Sequence, residues 1–220
     1  MTQSIREKTG FSSLLSSMGE EISIERGEAI YYPDSPSSSV YLVESGRVKL
    51  AYLDESGKKL TLTILDPGQI FGEMCLVGEK YRRYLATAIE ETIVRRVSKD
   101  AFVEVINEDS IHLQLLLKHF GRRVREFEET LEGFAFKDIQ ARLSRQLLKL
   151  SDEYGVKTEE GILIGFQLTH KDLADMIGSA RENTTLALNR FAREGILDKS
   201  RYRIVIKNEK GLRQKCGMRN

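Results

Sequence analysis

Two short helices joined by a tight turn are predicted by residues 169–195, THKDLADMIGSARENTTLALNRFAREG, and this stretch decides the fold. We expect Thr169 to cap the first helix and Gly178 to end it, since glycine adopts the backbone conformation that terminates helices. Ser179 and Glu182 fit the S-x-x-E capping box of the second helix. The arrangement indicates a helix-turn-helix.

A β-hairpin is predicted directly after these helices. Residues Ile196–Ile206 contain two short apolar runs separated by a turn at 199–201. On the other side, a helix is predicted over Asp138–Tyr154 and a short hairpin around Thr158–Leu168. A helix-turn-helix followed by a hairpin is typical of a winged DNA-binding domain. The tail, Glu209–Asn220, is polar and basic, and we expect it to be frayed.

The first turn of the second helix carries the side chains that read bases in such motifs. Arginine pairs with guanine, glutamate accepts from cytosine and asparagine pairs with adenine, whereas basic residues of the wing contact phosphate. A simple helix cap for Glu182 and a solvated charge for Arg181 are the alternative interpretations. The candidate DNA-binding residues are Thr169, His170, Ser179, Arg181, Glu182, Asn183, Thr185, Lys199 and Arg201.

A long helix is predicted from Asp109, upstream of the winged domain. Its apolar residues alternate at spacings of four and three, which is typical of a coiled-coil seam between two copies of a chain. A helix packed on its own domain is the alternative. Leu115 and Leu116 lie off this seam, and we expect them to pack on the preceding domain. The seam residues are Leu113, Leu117, Phe120, Val124, Phe127, Leu131 and Phe134.

Short β-rich runs separated by Gly, Pro and Ser turns occupy residues 21–98. Their even spacing predicts an antiparallel jelly roll rather than βαβ units. The predicted fold class is therefore α+β, with an N-terminal antiparallel β-roll, a long dimerisation helix and a C-terminal winged helix-turn-helix. The expected boundaries are 1–108, 109–137 and 138–220.

Composition is consistent with this division. The 220 residues carry a net charge of +1, but residues from Ile139 onward carry +6 and the preceding residues −5, which favours a basic half that meets a polyanion. No apolar run reaches the length of about 20 residues that a bilayer span needs, and no secretory signal is visible. Two distant cysteines argue against a disulfide scaffold. We expect a cytoplasmic protein.

Three motifs resemble the cyclic-AMP receptor protein / fumarate–nitrate regulator (CRP/FNR) family of bacterial transcription regulators. They are Phe71-Gly72-Glu73-Met74 with Arg83 ten residues after Glu73, residues 134–138 (FAFKD), and residues 178–182 (GSARE). The resemblance covers residues 21–206. It implies a homodimer on palindromic double-stranded DNA, an effector pocket in each β-roll beside the long helix, and contact with RNA polymerase.

The resemblance leaves the effector open. Cyclic-AMP binders of the family use a Glu for the ribose and an Arg for the phosphate, and Glu73 and Arg83 match them. However, Tyr84 and Leu85 stand where those proteins have a small hydroxyl residue and Ala, and Phe127 and Glu128 replace their adenine contacts. These departures argue against cyclic AMP.

A branch of the family that senses 2-oxoglutarate is also similar, with arginines that suit a dicarboxylate. A small anionic effector is expected, which is a cyclic nucleotide, a 2-oxoglutarate-like dicarboxylate or another small anion, and an effector-independent regulator stays open. With two cysteines, a four-cysteine iron–sulfur cluster is excluded, and Cys75 fits a buried small residue better than a haem ligand. The candidate effector-binding residues are Gly72, Glu73, Met74, Arg82, Arg83, Arg123, Phe127 and Glu128.

Two classes of function remain. The first is a sequence-specific DNA-binding transcription regulator modulated by an effector. The alternative is a ligand-binding module that regulates a protein partner. A helix with Arg181 and Glu182 directly after a tight turn favours DNA. Catalytic motifs such as the P-loop, GxSxG and HExxH are absent from the sequence, so we do not expect an enzyme.

Overall fold

The computed structural model describes residues 10–199 and 203–217. The chain forms two compact units that divide between Arg125 and Glu126. The division falls inside the long helix, and the domain boundaries expected at 108/109 and 137/138 stay predictions. Within the described ranges, no helix is both long and apolar enough to cross a bilayer.

The first unit contains eight strands in two antiparallel four-stranded sheets, with orders β1-β8-β3-β6 and β2-β7-β4-β5. This architecture confirms the predicted β-roll. The strands are β1 (Glu20–Ile24), β2 (Ala29–Tyr31), β3 (Ser39–Ser45), β4 (Val48–Leu53), β5 (Lys59–Leu65), β6 (Ile70–Phe71), β7 (Leu85–Ala88) and β8 (Thr92–Ser98).

Strand β3 is buried on both faces, because alternate residues of a strand point to opposite sides of the sheet. Val40 and Leu42 enter one apolar cluster, which also contains Leu116 of the long helix. Tyr41 and Val43 enter the other cluster, between the two sheets. The burial of Leu116 confirms that residues off the helical seam pack on the β-roll.

Helices follow and flank the roll. Residues 10–15 are helical (α1), and a 3-10 helix covers Glu73–Val77. The short helix α2 (Lys99–Glu108) is capped by Ser98, whose side chain accepts a hydrogen bond from the Ala101 N–H. The long helix is α3 (Ser110–Phe136).

The second unit is built around a four-stranded sheet of order β11-β12-β10-β9. The two predicted hairpins therefore form one sheet, through pairing of β10 with β12. The first hairpin covers 155–164 rather than 158–168, because its first strand starts immediately after the helix that ends at Tyr154. The elements are α4 (Ile139–Tyr154), β9 (Gly155–Thr158), β10 (Gly161–Ile164), α5 (His170–Met176), α6 (Arg181–Arg193), β11 (Leu197–Lys199), β12 (Ile204–Ile206) and α7 (Glu209–Lys215).

The predicted capping box at Ser179 is wrong. The N-cap of α6 is Ala180, without a side-chain cap, and the helix begins at Arg181. Gly178 has a φ of 59°, and this turn directs the Ser179 N–H to the carbonyl oxygen of Ala174 at 2.9 Å. Ser179 is consequently buried. The cap predicted at Thr169 is confirmed, and it forms a capping box, since its side chain and that of Asp172 cap each other's backbone N–H.

The frayed tail was also a wrong prediction as far as Gly217. Residues Glu209–Lys215 form α7, with Asn208 as a side-chain cap. Leu212 is fully buried and Cys216, one helical turn later, is nearly so. Two apolar side chains at this spacing suffice to fix a short helix, although the segment is otherwise polar.

Candidate ligand pocket and nucleic-acid interface

A pocket of about 320 Å³, its open mouth included, lies in the β-roll. Six of the eight predicted effector residues line it. Phe127 and Glu128 belong to the second unit, and their predicted part in ligand binding stays a prediction. The lining residues are Tyr31, Ser37, Leu50, Gly72, Glu73, Met74, Tyr81, Arg82, Arg83, Tyr84 and Arg123.

Arg82 points into the roll and is buried. Its Nη1 donates to the Gly72 carbonyl at 2.8 Å and its Nη2 to the Ser39 carbonyl at 2.7 Å. The guanidinium also lies 4.6 Å from the ring centroid of Tyr31, a cation–π distance. Gly72 has a φ of 77°, and a Cβ there would lie 2.6 Å from Nη1. Arg82 therefore clamps the loop before the 3-10 helix, and glycine is required beside it.

Arg83 lies at the mouth of the same pocket with 57% of its side chain exposed. Its Nη1 is 3.6 Å from the Glu79 carboxylate, a loose surface pair. Successive residues of an extended segment point to opposite sides, which explains why the neighbouring arginines differ. Of the two, Arg83 has the guanidinium accessible to a ligand.

Glu73 forms a buried pair with His119 that the sequence does not predict. Its Oε1 lies 3.3 Å from His119 Nε2, and both side chains are almost fully buried. Burial raises the pKa of the Glu73 carboxyl, but His119 and Arg123 outweigh that effect and hold the pKa below its ordinary value. The carboxylate is thus ionised and already engaged by the protein.

Two further residues of the roll that the sequence singles out, Tyr84 and Cys75, pack against other side chains of the roll. Tyr84 packs edge-on against Tyr52, with ring centroids 5.0 Å apart, and forms part of the pocket wall. Cys75 is buried in the apolar cluster with Leu42, as expected for a small core residue. Burial raises the pKa of its thiol, which keeps it protonated.

In the second unit, α5 and α6 form the helix-turn-helix. Arg181, Glu182 and Asn183 occupy the exposed first turn of α6. Within the described part of the chain, the side chains of these three residues make no hydrogen bond or ion pair. Thr184 is buried and donates to the Ala180 carbonyl, so it faces inward. Leu186 is 65% exposed, one helical turn further along.

His170 connects the two helices. Its Nδ1 lies 2.9 Å from the Thr185 hydroxyl of α6. Burial lowers the pKa of the imidazole, and the positive charges of Lys199 and Arg181 lower it further. The structure thus brings four of the predicted DNA-binding residues close together. Arg201 lies outside the described residues.

Family models of known proteins match both the β-roll and the helix-turn-helix domain. A family model of the cyclic nucleotide-binding domain matches residues 21–109, and one of the Crp-like helix-turn-helix domain matches residues 141–215. The cyclic AMP receptor protein of Thermus thermophilus is 31% identical over 78% of this chain and 76% of its own. The global nitrogen regulator of Synechococcus elongatus is 30% identical over 86% of each chain.

The fold has solved counterparts. A crystal structure of a CRP/FNR-family transcriptional regulator from Thermus thermophilus matches with a TM-score of 0.77 and 29% identity, over 91% of this chain and 100% of that one. The relatives are transcription regulators, not enzymes. On the strength of the two family-model matches and these relatives, the chain belongs to the CRP/FNR family of DNA-binding transcription regulators.

Proposed function

We propose that the protein is a homodimeric regulator that reads a palindromic DNA site and responds to a small anion. The observation that carries this proposal is the exposed first turn of α6, where Arg181, Glu182 and Asn183 have no side-chain partner in the described ranges. Charged side chains held apart from one another on a rigid helix suit base edges of the major groove. The basic surplus of this half adds attraction to phosphate.

The first turn of α6, residues 181–183, is called the reading turn below, and its side chains have chemical counterparts on DNA. Arg181 suits guanine, and Glu182 suits the amino group of cytosine, so together they specify a G·C-containing step. Leu186 presents only an apolar surface, which fits a thymine methyl group. We therefore expect a guanine opposite Arg181 and an A·T-rich position beside it.

The dimer is proposed through α3. Leu117 and Leu131 are 62% and 68% exposed, and Leu113, Val124 and Phe134 are also exposed along the same heptad positions. A row of large apolar side chains on one face of a helix marks an interaction surface, and the strict repeat fits a second copy. Phe120 is the exception, since it packs partly against the β-roll cluster.

Leu117→Glu tests this interface. The side chain is mostly exposed, so the substitution should leave the fold intact while placing a charge in the seam. We expect sedimentation to show dissociation of the dimer and DNA affinity to fall at least tenfold. Gln114→Glu, an exposed position off the seam, is the control and should stay dimeric. An unchanged dimer for Leu117→Glu would exclude this seam.

The effector is proposed to be a small anion that binds Arg83 and Arg123 at the pocket. Arg82 has both terminal nitrogens bonded to backbone carbonyls, and Glu73 is engaged by His119, so these two groups belong to the protein's own structure. Arg83 is accessible, and Arg123 lines the same pocket. The relatives named for cyclic AMP and for nitrogen regulation support a cyclic nucleotide or a 2-oxoglutarate-like dicarboxylate as ligands to test.

Thermal shifts with cyclic nucleotides and with dicarboxylates separate these ligands. The active class should raise the melting temperature of the wild type and change its DNA affinity, and Arg83→Leu should abolish both effects. Arg96→Leu, an exposed arginine of β8 away from the pocket, is the control. If no anion shifts the melting temperature, the regulator works without an effector of this kind.

Selection from a random palindromic library tests the DNA proposal directly. The full-length wild type should enrich one site with guanine in each half. No enrichment would refute sequence-specific binding by this chain. Contact with RNA polymerase remains a prediction of the family resemblance, and a cytoplasmic location remains a prediction of the composition.

A further inference from the structure

Three cationic or titratable side chains from separate elements lie together beside the reading turn. His170 is the first residue of α5, Arg181 the first of α6, and Lys199 the last of β11. Arg181 lies one helical turn before Thr185 on α6. Burial lowers the pKa of the His170 imidazole, and the positive charges of Lys199 and Arg181 lower it further. A hydrogen-bond contact between His170 Nδ1 and Thr185 of α6 fixes the imidazole among them.

The nearby acidic groups do not cancel this charge. Asp172 of α5 caps the backbone of Thr169. Asp175 is buried in an ion pair with Lys171, at 2.8 Å. Glu182 follows Arg181 in the exposed turn of α6. Two cations thus act on one imidazole, an arrangement that disfavours a third positive charge until an anion arrives.

We propose that His170 and Lys199 form a DNA-phosphate site beside the guanine-reading Arg181, and that His170 takes up a proton from solvent when a phosphate occupies it. This inference rests on the proposed DNA binding and adds proton linkage to it. The Thr185 hydroxyl supports both states of the imidazole, since it donates to a neutral Nδ1 and accepts from a protonated one. The phosphate supplies the negative charge that the free site lacks.

Proton uptake makes DNA affinity depend on pH. When the helix-turn-helix domain (the head) of one chain takes up one full proton on binding DNA, the affinity rises tenfold for each unit by which the pH falls. The two heads of a dimer together double the exponent of this pH dependence. Because the ordinary pKa of histidine is about 6.5, the gain should develop below about pH 7. The same uptake adds about one phosphate contact per head, so the salt dependence should be steeper by about 0.9 per head at pH 6 than at pH 8.

Fluorescence anisotropy with the full-length protein and its selected palindrome tests this inference at pH 6, 7 and 8 and constant ionic strength. We expect the wild-type affinity to rise as pH falls, also on random DNA, because phosphate carries no sequence information. His170→Gln should bind weakly with a flat profile, and His170→Lys should bind tightly with a flat profile. His112→Gln, a histidine of the first unit, should retain the wild-type slope.

The outcomes distinguish this inference from the proposed function. Absence of DNA binding at every pH would overturn both. Binding with an affinity that does not change between pH 6 and pH 8, or a slope that persists in His170→Gln, would overturn only the proton-linked site. NMR titration of His170 provides an independent measurement, since its pKa should be higher in the DNA complex than in the free protein.

Discussion

The pocket of the β-roll and the reading turn of α6 use the same residue type in opposite ways. Arg82 is buried and donates to two backbone carbonyls, whereas Arg181 is exposed with no side-chain partner in the described part of the chain. A buried charge must be satisfied internally, because its desolvation costs several kcal/mol. An exposed charge needs no internal partner and stays available to a ligand. Local burial therefore separates arginines that hold the fold from arginines that are available to a ligand.

The contrast continues within the pocket. Arg82, the Glu73 carboxylate and His119 are engaged within the protein, while among the described residues Arg83 at the mouth makes a loose contact with Glu79. An anion that binds as proposed would meet a site whose interior is already assembled. Ligand affinity and fold stability should consequently depend on different residues of one pocket.

Arg82→Met should produce the largest effect. It removes two charge-assisted hydrogen bonds and leaves the Gly72 and Ser39 carbonyls without them, which should cost about 3 kcal/mol of unfolding free energy. Arg83→Met, next to it in sequence, should change the free energy by less than about 0.5 kcal/mol. Urea unfolding followed by tyrosine fluorescence reports on the roll, where six of the eight tyrosines lie. Equal losses for both variants would contradict the proposed division of roles.

The Glu73–His119 pair predicts that the free energy of unfolding decreases in acid. Because the pKa of Glu73 is held below its ordinary value, its ionised form stabilises the fold above about pH 4.5, and this stabilisation is lost as the pH falls through the native pKa. Unfolding free energies between pH 3 and pH 7 should fall more steeply for the wild type than for Glu73→Gln. In His119→Gln the loss should be smaller than in the wild type, since burial then acts on the carboxyl with less opposition and raises its native pKa toward the unfolded value.

If the free energy of unfolding falls equally steeply in acid for the wild type and for Glu73→Gln, other carboxyls dominate the pH dependence of stability. His112→Gln is a suitable control. Its Nδ1 lies 2.7 Å from the Val105 carbonyl, away from the pocket lining.

Arg181→Ala should affect DNA binding and leave the fold unchanged. Loss of a guanine contact should cost about 1–3 kcal/mol per half-site on the selected palindrome and much less on random DNA. Competition anisotropy measures both. Lys199→Ala is the matched comparison, because loss of a phosphate contact should weaken all sequences alike. An unchanged selected site in Arg181→Ala would remove this residue from the reading turn.

Periodic patterns in the sequence predict most of the fold. The β-roll follows from short alternating strands, and α3 follows from its heptad repeat. Local signals also predict the cap at Thr169. The wrong cap at Ser179 has a physical cause, since the turn at Gly178 directs the backbone of Ser179 toward α5 and leaves α6 to begin two residues later.

Long-range pairing is the part that the sequence does not reveal. Glu73 and His119 are 46 positions apart, and no spacing rule links them. The opposite environments of Arg82 and Arg83 depend on strand register at a loop end, where one residue of offset exchanges inside for outside. Motifs thus predicted which residues line the pocket, whereas the role of each side chain required the packed structure.

Leu186 should give the smallest effect and the sharpest test of apolar reading. It is largely exposed on α6, so Leu186→Ala should not alter stability. Loss of contact with a thymine methyl should weaken binding by about 0.5–1 kcal/mol, close to the value of one buried methylene. Replacing each thymine of the selected site with uracil removes one methyl at a time. At one position per half-site, this replacement should weaken the wild type and leave Leu186→Ala unaffected. If every uracil substitution weakens both proteins equally, Leu186 does not read thymine, and the A·T preference beside the guanine must come from DNA shape.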